Sequence, residues 1–193
     1  MENSMLETIR SFIAFDIDSE QVLNKLKEAQ DMLAKTGADL TLVKPQNIHI
    51  TLRFLGDITP SMVDKIDKEM QNIAFKPFDV EIKGIGAFPN LNYARVVWAG
   101  IQQGEEELKN IFNQLEPRLR SLGFRPDSKG FSAHLTIARV RSGRNKAELV
   151  KCVSEMVDYE FGKVHAECLR LKKSVLTSQG PIYSTLKETH ATT

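Results

Sequence analysis

The sequence predicts a duplicated α+β protein: two lobes, each a small sheet backed by helices, facing each other. Three observations predict it. Along the 193 residues, strand-like runs alternate with runs at helical spacing. A His-x-Thr-x pattern stands twice on strand-like runs, at H-I-T-L (His49 to Leu52) and H-L-T-I (His134 to Ile137), 85 positions apart. No Gly-rich phosphate loop ends a strand, since G-I-G-A-F-P has only G-x-G and no helix behind it, which argues against a dinucleotide fold.

The elements follow in order. S-F-I-A-F-D-I (Ser11 to Ile17), rich in aromatic and branched residues, is a strand. Val22, Leu26, Ala29 and Leu33 recur at helical spacing after Asp18 and Ser19, with Gly37 where a C-cap would stand. L-T-L-V-K-P is a short strand stopped by Pro45, and Ile48 to Leu55 is another. Thr59-Pro60 is an N-cap and first-turn proline for a helix carried by Val63, Ile66, Met70 and Ile73. F-D-V-E-I-K-G and Ala94 to Ile101 are strands separated by the turn-rich G-A-F-P-N-L-N. Leu108, Ile111, Phe112 and Leu115 mark a helix that Pro117 limits or kinks. L-G-F-R-P-D-S-K-G-F is a loop, His134 to Val140 a strand, Lys146 to Val157 a helix and Val164 to Leu176 extended. The Gly180-Pro181 turn introduces I-Y-S-T-L, and E-T-H-A-T-T reads as a frayed tail. A single domain of two pseudo-symmetric lobes over 9–187, with a flexible tail at 188–193, is the expected organisation.

Composition narrows the function. With 41% hydrophobic and 26% charged residues the chain can bury a core under an ordinary surface. Lys+Arg total 26 against 25 for Asp+Glu, so no global field draws it to nucleic acid or anionic membrane, and an anionic ligand must be held locally. Cys152 and Cys168 form no C-x-x-C and read as reduced packing residues. M-E-N-S-M-L-E-T lacks the apolar core of a signal peptide, and no run of about 18 apolar residues could span a bilayer. The expectation is a soluble, cytoplasmic protein with no membrane partner.

Residues i and i+2 share a strand face. His49 and Thr51 therefore point one way, with Ile48, Ile50, Leu52 and Phe54 opposite; His134 and Thr136 oppose Leu135 and Ile137. A lone strand histidine is most often structural. The repetition shifts the balance, because these are two of only four histidines and both carry Thr at the same offset. Zinc would need more His, Cys or carboxylate ligands than the pattern supplies. No G-x-S-x-G elbow supports a serine hydrolase. Two imidazoles on opposite walls suit acid–base work near neutrality, and two hydroxyls suit the oxygens of a phosphoryl group. Such a site opens a phosphodiester without a metal or cofactor.

H-I-T-L and H-L-T-I resemble the paired signatures of the two-histidine (2H) phosphoesterase superfamily. More narrowly, the chain resembles the RNA 2′,3′-cyclic phosphodiesterases, also called 2′-5′ RNA ligases. The likeness runs from R-S-F-I-A-F-D through I-H-I-T-L-R-F-L-G-D, A-R-V-V-W-A-G and H-L-T-I-A-R-V into L-K-K-S-V-L-T-S-Q-G-P-I-Y, nearly the whole chain. It implies two antiparallel sheets with outer helices around a central cleft, and metal-independent hydrolysis of RNA 2′,3′-cyclic phosphate ends to 2′-phosphates. Carried over by position, His49 and Thr51 form one motif and His134 and Thr136 the other. We assign His49 as general acid to the leaving oxygen and His134 as general base on water. Two alternatives stay open: 2′-5′ RNA end joining at the same site, and a non-catalytic RNA-binding protein on this scaffold.

Other residues are candidates for substrate binding. Arg139 resembles a family arginine near the phosphate, although strict alternation puts it opposite His134 unless the strand bulges. Arg53, at i+4 from His49, shares its face by alternation. Tyr183 follows the Gly180-Pro181 turn, and the resemblance implies a place for it at the edge of the cleft. Arg125, Lys129, Arg139, Arg141, Arg144 and Lys146, against Asp127 alone, form a basic stretch that is either a solvated rim or a bed for RNA. Phe12 and Phe131 are core residues or base-stacking surfaces. His165 and His190 lack the Thr and read as non-catalytic. The protein is read as a monomer whose partner is RNA or a nucleotide with a 2′,3′-cyclic phosphate.

Overall fold

The structure is a computed structural model that describes residues 7–127 and 130–192. The chain forms β1 (Ile9–Asp16), α1 (Glu20–Lys35), β2 (Leu40–Leu42), β3 (His49–Ile58), α2 (Pro60–Met70), β4 (Phe78–Phe88) and β5 (Val96–Gln103). It continues as α3 (Glu105–Ser121), β6 (His134–Val140), α4 (Lys146–Glu155), β7 (Glu160–Ala166), β8 (Cys168–Thr177) and β9 (Gly180–His190). Among the described residues no helix is long and apolar enough to cross a membrane.

The α+β class and the antiparallel pairing stand as read. Strands run β7-β4-β5-β6-β3-β1-β8-β9, with β2 on the far end of β6. Two four-stranded halves, β7-β4-β5-β6 and β3-β1-β8-β9, meet at β6 and β3 through the pair Ile50 and Leu135. The two sheets are thus continuous, a join that the sequence does not reveal. Helices cover one face: α1 packs on β7 and β6 beside α4, while α2 packs on β9 and α3 on β3. Ile50, Leu52, Leu135 and Ile137 point under these helices and are buried, each burial stabilising the fold by roughly 1.5–3 kcal/mol. The opposite face of the seam stays uncovered.

Local chemistry explains most element ends. Ser19 caps α1, its hydroxyl accepting from the Val22 amide at 3.3 Å, and Gly37 leaves the helix at φ +70°, where a side chain would be strained. α3 runs through Pro117 to Ser121; the carbonyl that Pro117 leaves without its amide belongs to exposed Asn113, so water can satisfy it, and buried Leu115 and Leu119 hold the last turns.

Three expectations change. β4 continues to Phe88 instead of turning at Gly86, because the Trp98 ring of β5 lies on Gly86, where a Cβ would come within 2.3 Å of it. Val164 to Leu176 is two strands in different halves, with the chain crossing at Glu167. The tail at 188–193 is not frayed over its described part. Glu188, Thr189 and His190 pair with Arg170, Leu169 and Cys168, and the amides of Ala191 and Thr192 donate to Glu167 and Phe75 at 2.7 and 2.9 Å. These non-local partners leave no trace in a polar six-residue string.

Candidate active site

The seam places the site. Around an antiparallel Ile50–Leu135 pair, one step either way sets His49 across from Thr136 and Thr51 across from His134. The two motifs therefore interlock, each imidazole opposite the other motif's hydroxyl. All four side chains line one cleft on the uncovered face, and each is partly buried.

Both imidazoles are anchored alike. His49 Nδ1 lies 2.7 Å from the carbonyl of Asn47, and His134 Nδ1 lies 2.7 Å from that of Ser132. A carbonyl only accepts, so each Nδ1 carries the hydrogen and Nε2 is left to take or give a proton. Asn47 is itself fixed, its side-chain amide donating to the Pro181 carbonyl at 2.8 Å.

The electrostatics of the two differ. Burial lowers the pKa of His49; the Asn47 carbonyl and the Asp16 carboxylate push it back up, while Lys172 and His134 press it down. Asp16 is opposite His49 in the β1–β3 pairing, and Lys172 Nζ donates to its oxygens at 2.7 and 2.6 Å. His134 is also lowered by burial, opposed by the Ser132 carbonyl. Aromatic rings hold both in place. Phe12 lies tilted on His49 at 4.7 Å between centroids and Tyr183 meets it edge-on at 5.4 Å, while Phe88 meets His134 edge-on at 5.0 Å.

Two bulges decide what else enters the cleft. In β6, Ile137 is the extra residue between the pairs Val97–Ala138 and Trp98–Thr136, so the alternation slips and Arg139 joins the face of His134. In β3, Leu52 is the extra residue between Ile13–Arg53 and Ala14–Thr51, so Phe54 joins the face of His49. Arg53, expected beside His49, is turned away by the same bulge. It is buried against α3, Nε donating to Glu116 at 2.8 Å and the other guanidinium nitrogens to the carbonyls of Phe54 and Arg125. Tyr183 lines the cleft as expected, and burial raises its phenol pKa.

Sequence reasoning missed Phe54 and Arg10. Phe54 stands five residues past His49, as Arg139 stands five past His134, and that shared offset was the available signal. The Arg10 guanidinium lies over the Phe54 ring, 4.6 Å from its centroid, and also lines the cleft. Of the other candidates, Phe12 lines the cleft but Phe131 stacks on Phe112 of α3. Arg141, Arg144 and Lys146 line a neighbouring groove, and Lys129 lies outside the described residues. His165 bonds to Asp79 at 2.8 Å, away from the cleft. Cys168, Glu188 and His190 bring ligand atoms within 4.8 Å of one another outside the cleft, yet Glu188 already accepts from Arg170 Nε at 3.0 Å.

The model of the LigT-like phosphoesterase family matches twice, over residues 17–98 and 100–183. The chain belongs to that family. Each match holds one His-x-Thr-x motif, so this LigT-like phosphoesterase carries its duplication in sequence and fold alike. An RNA 2′,3′-cyclic phosphodiesterase of Aeropyrum pernix is 41% identical over 170 residues, covering 88% of this chain and 97% of that protein. One of Archaeoglobus fulgidus is 37% identical over 179 residues, covering 93% and 98%. In fold, the phosphoesterase resembles Escherichia coli LigT complexed with 3′-AMP, with a TM-score of 0.77, 20% identity and coverage of 97% and 100%. A Thermus thermophilus structure gives 0.78 at 24% identity, covering 94% and 97%.

Proposed function

We propose that this phosphoesterase hydrolyses RNA 2′,3′-cyclic phosphate ends to 2′-phosphate ends, without a metal, with His49, His134, Thr51 and Thr136 as its machinery. The observation that carries the reading is the interlocked quartet at the seam, with both Nδ1 atoms anchored and both Nε2 atoms left for proton transfer. The curated names of its relatives, 31–41% identical over most of the chain, support the reaction class.

In this reading water attacks phosphorus and His134 Nε2 takes its proton. The bond from phosphorus to the 3′ oxygen breaks, and His49 Nε2–H protonates that oxygen, leaving a 3′ hydroxyl and a 2′-phosphate. Burial lowers both imidazoles, and the Asp16 carboxylate opposes it at His49, so the assignment of His49 as the acid is tested through Asp16. Thr51 and Thr136 donate to the non-bridging oxygens, and Arg139 faces the growing charge. Phe12, Phe54 and Tyr183 offer apolar walls to the terminal nucleotide.

A 2′,3′-cyclic nucleotide incubated with the protein in EDTA tests this, with phosphorus NMR distinguishing 2′- from 3′-phosphate. A 2′-phosphate product at full rate is expected. Activity lost in EDTA and restored by one divalent ion, or a 3′-phosphate product, would defeat the mechanism.

A further inference from the structure

The groove beside the cleft is unexplained by the reaction at the phosphate. It lies between the β4–β5 turn and the β6–α4 turn and is lined by Tyr93, Arg95, Arg141, Arg144 and Lys146, with no acidic side chain among its lining residues. Tyr93 is 73% exposed, an unusual position for a large ring, and Lys146 Nζ lies 5.2 Å from its centroid. The turn that presents it is built firmly. The Asn90 side chain accepts from the Tyr93 amide at 3.0 Å, the Arg95 amide donates to Phe88 at 2.8 Å, and the Val140 amide donates to Arg95 at 2.9 Å. Arg144 Nε donates to the Gly37 carbonyl at 3.1 Å, which fixes one cation at the rim. With a net charge of only +1 over the whole chain, this concentration of cations is local.

The groove and the cleft lie along the same stretch of chain. β6 starts at His134 inside the cleft, sends Arg139 into it and ends at Val140, which with the following Arg141 lines the groove, about 7 Å of chain further on. A 2′,3′-cyclic phosphate occupies the 3′ end of an RNA, so the rest of the polymer leaves the cleft from the 5′ side of the terminal nucleotide. An exposed aromatic ring set among cations suits single-stranded RNA, the ring stacking a base and the cations following the backbone.

We infer that this groove binds the RNA strand immediately 5′ to the terminal nucleotide, with Tyr93 stacking a base and Arg95, Arg141 and Lys146 holding phosphates. The inference rests on the reading of the cleft as a cyclic-phosphate site. It makes the protein an enzyme of oligoribonucleotide ends more than of mononucleotides.

The test compares kcat/KM for a 2′,3′-cyclic mononucleotide and for a single-stranded RNA of about ten nucleotides with the same end. Tyr93→Ala should lower the RNA value about tenfold and leave the mononucleotide value unchanged. Arg95→Ala with Arg141→Ala should flatten the salt dependence of RNA turnover by about 0.7 in log–log slope per cation removed. Equal loss on both substrates, or no loss on either, would overturn the groove. Fluorescence anisotropy of the same RNA ending in a 2′-phosphate gives a readout that needs no turnover. RNA binding that weakens in these variants, beside an inactive wild type, would keep the groove and sink the reaction. Wild-type binding that no variant weakens would sink the groove alone, and so would capture of anionic vesicles with no RNA binding.

Discussion

Ile50 and Leu135 face each other across the seam, both fully buried, and their pairing holds the two histidine-bearing strands in register. Ile50→Ala should cost about 2–5 kcal/mol of stability, against about 0.5–1.5 for Ile50→Val. Denaturant midpoints check this. The Ala variant should also lose turnover at temperatures where it remains folded, because a looser seam misplaces His49 against Thr136. Full activity in a destabilised Ile50→Ala would show that the seam supports the fold and not the site.

Replacing His49 or His134 with Ala should lower turnover by roughly 10²–10⁴. His165→Ala, whose partner is exposed Asp79 outside the cleft, should leave turnover nearly intact. Thermal unfolding measured beside activity separates chemistry from folding, and normal turnover by the folded fraction of either cleft variant would return the histidines to a structural role.

Burial holds both imidazoles below their ordinary pKa, and this fixes two pH effects. A group lowered in the folded state adds stability that is whole above its unfolded pKa of ~6.5 and is lost as the pH falls through the folded value. The wild type should therefore lose more stability than His49→Ala between neutral and mildly acid pH, read from midpoints at both. The kcat/KM profile should be a bell with both limbs on the acid side of ~6.5. Asp16→Asn removes the carboxylate that raises His49, so the limb belonging to the general acid should move further to acid while the other stays. Movement of the basic group's limb instead would reverse the assigned polarity.

Thr51→Ala and Thr136→Ala should each cost roughly 10²–10³ in kcat, if each hydroxyl serves the developing charge on phosphate as an oxyanion donor does. Thr→Ser keeps the hydroxyl and should retain far more. Equal damage from Ser and Ala would trace the effect to the lost methyl group and hence to packing.

Arg139 and Arg53 should behave oppositely. Arg139→Ala removes a cation from the cleft at an exposed position, so turnover falls while stability holds. Arg53→Ala removes the cation paired with Glu116, only 17% exposed in its side chain, and should cost about 3–5 kcal/mol. Activity assays and unfolding curves on the two variants decide it, and a turnover defect in a fully stable Arg53→Ala would put that arginine back in the cleft.

What the sequence determined by itself is what local period and cap chemistry control. Side chains two apart share a strand face, so His49 with Thr51 and His134 with Thr136 could be read as pairs presented to one side. The helical spacing of Val22, Leu26, Ala29 and Leu33, with Ser19 before and Gly37 after, placed α1 in the same way. The shared offset of the two motifs carried the duplication, and with it the fold class.

The tertiary structure alone decided which residues past the motifs line the cleft. A bulge is a mismatch between a strand and its neighbour, so the extra residues Leu52 and Ile137 exist only by reference to β1 and β5. Those two mismatches carry Arg139 and Phe54 into the cleft and Arg53 out of it, against strict alternation. Arg10 reaches the same cleft because β1 lies beside β3, and Glu188 to His190 are strand because β8 is there to pair with them. Each depends on a partner far along the chain, and no local pattern encodes a partner's register.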